Sequence, residues 1–307
     1  MFEENNKYDF FAKVLQINDS TYETYPITVL TENNETAIVR VKQGETLSLN
    51  KLYYFQTTAI LFKEKIHLEV DEFKKLTDMD VSEEKHEKLM KLFYNHAPIN
   101  TIEIKKDIEK IIGNIKNKII KDVLIKIYQD KKEDFYLYPA ATKFHHAYIS
   151  GLAYHTHSML KLAKGFLEVY DWLNADLLYS GIILHDICKI LEFDSFEGSN
   201  YTIKGKLIGH IAMGVNLIDE VAKELNYQDE EEVMLLEHIL LSHHYYGNYG
   251  SPKKPNIAEA LMIHFIDNID SKTCVLGEEL DLVETGDLTG PIGVLDRERY
   301  YKHKLSK

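Results

Sequence analysis

Cysteine is almost absent: Cys188 and Cys274 are the only two in 307 residues. That excludes a disulfide framework and a cysteine-rich zinc motif. Proline is scarce as well, with six residues, and glycine contributes 15, so collagen-like and low-complexity compositions are excluded. No apolar run approaches the ~18 residues of a membrane span. The start, Met1-Phe2-Glu3-Glu4-Asn5-Asn6-Lys7, lacks the basic opening and apolar stretch of a signal peptide. The expectation is therefore a reducing cytoplasm and no membrane. Positive charge is in deficit too: 36 Lys and Arg stand against 49 Asp and Glu, a net charge of −13. Such a total does not advertise a polyanion binder.

What is present is globular: 45% hydrophobic and 28% charged residues, in a length that suits two domains or one large one. The charge is uneven. Residues 1–87 carry 10 basic and 17 acidic side chains, residues 88–143 carry 12 and 7, and residues 144–307 carry 14 and 25. The middle segment is a basic island, either a solvated helical face or a phosphate contact. Its lysines include Lys105, Lys106, Lys110, Lys116, Lys118 and Lys121.

Residues 8–76 read as β structure. Apolar, β-branched and aromatic stretches at 14–17, 25–30, 36–41, 52–62 and 66–70 are separated by turn formers such as Asn18-Asp19-Ser20 and Gln43-Gly44-Glu45. About five short strands in some 70 residues fit a small barrel, of which the OB-fold is one. After residue 80 the period becomes helical, with Ser82 as an N-cap before acidic residues. Three- and four-residue spacing predicts helices over 100–129, 147–170, 175–191, 205–226, 229–243 and 257–272. The expected class is α+β in two domains, a small N-terminal β-barrel and then an all-α helical bundle. The expected divisions are 1–80 for the barrel, 81–138 for a basic helical linker region and 139–307 for the bundle.

Ten of the 14 histidines lie between positions 145 and 264. The sharpest element is Leu184-His185-Asp186-Ile187-Cys188-Lys189 within an apolar segment. A His-Asp pair in a buried helix is costly unless something pairs it. A divalent metal does so, because imidazole and carboxylate both suit Mn, Fe, Co, Ni or Zn. Helical spacing lets His185, Asp186 and Lys189 border one site. His155 lies upstream, Gly209-His210 and Ser242-His243-His244 downstream, and Asp267-Asn268 later still.

This order, His, then His-Asp, then Asp over successive helices, resembles the HD-domain phosphohydrolases. The longer series Pro139-Ala140-Ala141, His145-His146, Gly151-Leu152, His155-Thr156, His185-Asp186, Lys189, Gly205, Gly209-His210, His243-His244, Gly250-Ser251-Pro252 and Asp267-Asn268 resembles the YhaM-type 3′→5′ exoribonucleases, which join an OB-fold to an HD domain. The likeness covers about 135–272. Departures from that pattern are Ser150 and Cys188 where Gly is usual, Tyr154 and His157 beside the first histidine, and Tyr245-Tyr246 after the His pair.

The resemblance implies that His155, His185, Asp186 and Asp267 hold one divalent ion. It implies that Asp186 is shared with a second ion held by His210 and His243, with His244 as a further ligand. Two ions are expected, Mn²⁺ foremost, with Co²⁺, Fe²⁺, Ni²⁺ or Mg²⁺ as alternatives. Asp186 and Lys189 are the implied catalytic residues, and His145, His146 and Lys189 the implied substrate contacts. Asp270, one turn beyond Asp267, is a candidate supporting residue, and His238 is open between ligand, support and core. The implied activity is 3′→5′ hydrolysis of single-stranded RNA, or single-stranded DNA, from its 3′ end, releasing nucleoside 5′-monophosphates. The competing implication is hydrolysis of a small nucleotide or cyclic dinucleotide. A homo-oligomer is compatible with either.

Overall fold

A computed structural model describes residues 2–20, 22–142, 146–196, 200–247 and 250–305. The chain divides into two compact units, Met1–Asn95 and His96–Lys307. The class is α+β, with a five-stranded barrel in the first unit and a helical second unit.

The barrel strands are β1 (Lys7–Ile17), β2 (Thr24–Thr31), β3 (Thr36–Lys42), β4 (Leu52–Phe62) and β5 (Lys65–Lys75). They close in the order β1-β2-β3-β5-β4, antiparallel except for the β3–β5 pair. This is an OB-like barrel. Alternating residues fill its interior, among them Val14, Ile27, Val29, Val39, Val41, Phe55, Leu68 and Val70. Tyr53 and Phe55 are thereby consumed in the core. Lys63 and Glu64 turn β4 into β5, both with positive φ (49° and 65°), the left-handed pair a tight hairpin needs. Helix α1 (Glu83–Phe93) follows, and the Ser82 hydroxyl accepts from Lys85 N as its N-cap.

The second unit begins with α2 (Thr101–Asn114) and α3 (Lys118–Phe135). The single helix expected over 100–129 is thus two. Asp176 accepts from the backbone N–H of Lys116 and Asn117 at 2.9 and 2.7 Å, and the Asn117 side chain caps α3. Those bonds give the freed amides partners where the helix breaks. Ile104, Ile108 and Ile112 of α2 and Ile120, Leu124 and Ile127 of α3 are buried in one core with the later helices. Those are α4 (Gly151–Val169), α5 (Ala175–Leu184), α6 (Lys189–Glu192), α7 (Ile203–Leu207), α8 (Gly209–Leu225), α9 (Glu231–Ser242) and α10 (Ala258–Asp281).

The helix expected over 175–191 also breaks. After Leu184 the hydrogen bonds tighten to three-residue spacing, Ile187 N to Leu184 O and Lys189 N to Asp186 O. The expected 205–226 helix splits at Gly209, whose φ is +79°. No helix among the described residues is long and apolar enough to cross a membrane.

Candidate metal centre

Five helices bring their ends or faces to one point. His155 comes from the middle of α4, and His185 and Asp186 from the tight turn after α5. His210 is at the start of α8, His243 and His244 follow α9, and Asp267 lies along α10. His155, His185 and His243 are buried, and Asp186 is 2% exposed.

Asp186 is the hub. Its Oδ2 lies 3.2 Å from His185 Nε2 and 3.9 Å from His155 Nε2, and His155 Nε2 is 3.4 Å from Asp267 Oδ1. Its Oδ1 lies 3.3 Å from His210 Nε2 and 3.9 Å from His243 Nε2. The two oxygens of one carboxylate therefore face two separate histidine groups. Ligand-compatible clusters form on each side: His155, His185 and Asp186 on one, and Asp186, His210, His243 and His244 on the other.

The second ring nitrogen decides what each Nε2 offers. His185 Nδ1 faces Ile182 O at 2.7 Å, and His243 Nδ1 faces Leu240 O at 2.9 Å. His155 Nδ1 faces Asp270 Oδ2 at 2.7 Å, and His210 Nδ1 faces Glu192 Oε2 at 2.9 Å. Carbonyl and carboxylate oxygens only accept, so each Nδ1 carries the proton. In the neutral ring, Nε2 then presents a lone pair. Among the described residues, the Nε2 atoms of His185, His210 and His243 and the Oδ1 of Asp186 are buried without a hydrogen-bond partner. Orphans of this kind cost about 1–3 kcal/mol each. Lone pairs facing lone pairs at 3.2–3.9 Å are relieved by a cation between them or, at His185, whose pKa the Asp186 charge raises against the effect of burial, by a proton. The donor set, imidazole and carboxylate, fits a divalent transition ion.

Charge supports the same arrangement. Burial would raise the Asp186 pKa, but Lys189, His185 and His210 together outweigh it and hold the carboxyl well below its usual range. Burial pushes His243 well down and His244 down, so both stay neutral and able to ligate. Lys189 Nζ sits 2.7 Å from Asp186 Oδ2. Burial alone would lower its pKa, but the Asp186 charge raises it.

The HD domain family matches residues 152–272, a span that contains every one of these side chains. The 3′-5′ exoribonuclease YhaM of Bacillus pumilus (strain SAFR-032) is 43% identical over 210 residues, 68% of this chain and 67% of that protein. The Bacillus subtilis (strain 168) protein of the same name is 40% identical over 215 residues, 70% and 68% of the two chains. That of Shouchella clausii (strain KSM-K16) is 35% identical over 266 residues, 86% and 81%. The chain belongs to the YhaM 3′-5′ exoribonuclease family.

Two of the positions that depart from the YhaM-type pattern have left-handed backbone. Ser150, where Gly is usual, and Tyr245, which follows the His pair, adopt φ of 65° and 66°. A side chain there costs roughly 1–2 kcal/mol. Ser150 offsets part of it with a buried hydroxyl bond to Tyr136 O at 2.7 Å. Cys188 has an ordinary φ of −79°, so a side chain is unstrained there.

The remaining sequence candidates fall in different places. His146 is 1% exposed, with Nε2 2.8 Å from Asp270 Oδ2 and Nδ1 2.7 Å from the Tyr148 hydroxyl. It is placed beneath the site and not on a solvent-facing wall. His145 lies outside the described residues. His238 stands outside the ligand clusters, and its Nε2 accepts from Asn256 N. His157 pairs with Asp107, and His264 Nδ1 meets the His243 carbonyl. In the lysine island, Lys118 pairs with Asp122 and Lys121 donates to Gly113 O.

The supporting residue that sequence reasoning missed is Glu192. Its two oxygens accept from His210 N at 3.2 Å and meet His210 Nδ1 at 2.9 Å. Gly205 makes room for it: a Cβ there would lie 2.3 Å from Glu192 O. The available signal was a glutamate six residues after the His-Asp pair in an apolar stretch.

Proposed function

We propose that this protein is a divalent-metal-dependent 3′→5′ exonuclease that shortens single-stranded RNA and releases nucleoside 5′-monophosphates. The observation that carries the proposal is the buried Asp186 carboxylate, one oxygen of which faces His185 and the other His210 and His243, whose Nε2 atoms have no hydrogen-bond partner among the described residues. The relatives named as 3′-5′ exoribonucleases support the polarity and the polymer.

In this proposal His155, His185, Asp186 and Asp267 hold one ion, and Asp186, His210, His243 and His244 hold the second. Mn²⁺ suits this mixed nitrogen and oxygen set. When bound, such ions supply an activated water and neutralise charge on the phosphate. The chain's own residues do the rest. Asp270 and Glu192 fix the rings of His155 and His210, so their Nε2 atoms stay aimed inward. Lys189 keeps Asp186 charged and has two further N–H donors for a substrate phosphate oxygen. His146 braces Asp270. Asp186 and Lys189 are thus the catalytic pair, and the cytoplasm is the compartment in which free Cys188 and Cys274 remain thiols.

The test uses metal-stripped protein, Mn²⁺ added back, a 5′-labelled single-stranded RNA and an Asp186→Ala control. A ladder growing shorter from the 3′ end, absent in the control, is expected. Intact RNA, with small nucleotides or cyclic dinucleotides hydrolysed instead, would overturn the proposal.

A further inference from the structure

Tyr245 and Tyr246 follow the His pair directly, and holding metal gives neither ring a task. Tyr246 is 52% exposed, and its backbone N–H donates to His244 O at 2.7 Å. Two residues of chain separate it from His244, so the two Cα atoms are within about 7 Å of each other. Tyr245 stands between them with its left-handed φ of 66°. Its ring centre is 4.8 Å from that of Tyr246 and 5.1 Å from that of His264. His264 on α10 is 8% exposed, and its Nδ1–H donates to His243 O at 3.0 Å. The three rings thus form a continuous series of contacts, from the backbone of His243 out to the surface.

Positive charge is brought to the same place. The stretch Ser251-Pro252-Lys253-Lys254-Pro255-Asn256 is pinned at both ends. The Ser251 hydroxyl accepts from His244 N at 3.0 Å, and Asn256 N donates to His238 Nε2 at 2.9 Å. Pro252 and Pro255 fix φ between those two anchors. Lys254 Nζ stands 5.1 Å from the Tyr245 ring centre. Residues 144–307 carry 14 basic against 25 acidic side chains, so an adjacent lysine pair tied to His244 runs against its surroundings. The Tyr245 conformation is one that a side chain adopts at a cost, and strain of that kind collects at functional sites.

A nucleotide next to the cleaved linkage presents a base with a π-face and, beyond it, another negative phosphate. We propose that Tyr246 stacks on the base of a nucleotide flanking the phosphate that is cut, and that Lys254 holds the next phosphate along the strand. Tyr245 and His264 back the Tyr246 ring, and His238 anchors the segment that carries the lysine. The choice of ligand rests on the exonuclease proposal, which this inference deepens by naming what grips the strand beside the metal centre.

The test uses three 5′-fluorescein-labelled five-nucleotide RNAs: one intact, one abasic at the 3′-terminal position and one abasic at the penultimate position. Full-length protein binds them in EDTA, which stops turnover, and fluorescence anisotropy is followed at several salt concentrations. Mn²⁺-loaded protein then gives KM and kcat on the intact RNA. Tyr246→Ala is expected to weaken binding of the intact RNA by about 5- to 100-fold, the effect of losing one stacked base. It should raise KM far more than it lowers kcat, the signature of lost ground-state binding, and Tyr246→Phe should restore both. On one of the two abasic RNAs, the one lacking the stacked base, Tyr246→Ala should bind as the parent does. Lys254→Gln is expected to flatten the salt slope by ~0.7, one phosphate's worth on a single strand. Both side chains are exposed, and circular dichroism checks the fold of each variant. Parental affinity in Tyr246→Ala, or an equal loss on all three RNAs, would overturn the stacking role. Protein that trims RNA while Tyr246→Ala binds normally would sink this inference alone. Protein that binds RNA through Tyr246 yet trims nothing would instead sink the exonuclease proposal.

Discussion

Glu192 offers the sharpest test of how the metal centre is built. It touches none of the facing ligand atoms and acts through His210, accepting from both its ring Nδ1 and its backbone N–H. Glu192→Ala removes both acceptors and frees the ring to rotate or change tautomer. A hydrogen bond to a charged group is worth about 1.5–3 kcal/mol. Lost orientation of this kind lowers metal affinity by roughly 10- to 100-fold, which corresponds to about 1.4–2.7 kcal/mol. Because His210 faces Asp186 Oδ1 and not Oδ2, the loss should fall on one ion of two. Calorimetric titration with Mn²⁺ should show two tight ions in the parent protein. The variant should show one tight and one weak ion, and Glu192→Gln should recover part of the loss through its amide oxygen. Two ions bound by folded Glu192→Ala with parental affinity would refute the assignment of this role.

The companion substitution Asp270→Asn should weaken the other ion, since Asp270 faces His155, and parallel titrations would separate the two sites. Burial would raise the Asp270 pKa, but hydrogen bonds from His146 and His155 outweigh it and hold it below the ordinary range. A depressed carboxyl contributes stability that is present above about pH 4 and lost as pH falls toward the folded-state value. Denaturant melts of the metal-free protein should therefore show the gap between parent and Asp270→Asn narrowing between pH 5 and pH 3, in round numbers; a constant gap would contradict this. Gly205→Ala drives a methyl to 2.3 Å from the Glu192 carbonyl, so it should reproduce the Glu192→Ala titration; unchanged binding of both ions would argue against the packing described. Leu124→Ala, at a fully buried α3 position, should cost about 2–5 kcal/mol in urea unfolding, and a loss under 1 kcal/mol would place that helix outside the core.

The five strands were legible because a barrel wall alternates inward and outward residues, and β-branched runs between turn formers display that period directly. The candidate ligands were named chiefly by resemblance to the HD-domain order, and the chain's own signal was the cost of burying such residues. Histidine and aspartate are expensive inside apolar helices, so His185-Asp186 and His243-His244 stand out wherever they occur. The helix breaks were not. The interruption between α2 and α3 depends on Asp176, about 60 residues further on, accepting from Lys116 and Asn117. The end of α5 at Leu184 was equally hidden, because the residues around it are strong core formers. Glu192 was passed over because a single glutamate has no period and no motif. Only its distance to His210 gives it a role.

The barrel marks the boundary between the two kinds of knowledge. Sequence alone determined that the N-terminal segment is β and that the rest is helical, because local periodicity is a property of the chain itself; the candidate metal ligands were named by resemblance to a known family. It also recorded a net acidic N-terminal segment. Tertiary structure alone decided that Arg40, Lys63 and Tyr22 share one face while Tyr53 and Phe55 are interior. It alone decided which oxygen of Asp186 faces which histidine. Those outcomes depend on strand pairing and helix packing between distant residues, and electrostatic and hydrogen-bond energies follow distance in space, whatever the separation along the chain.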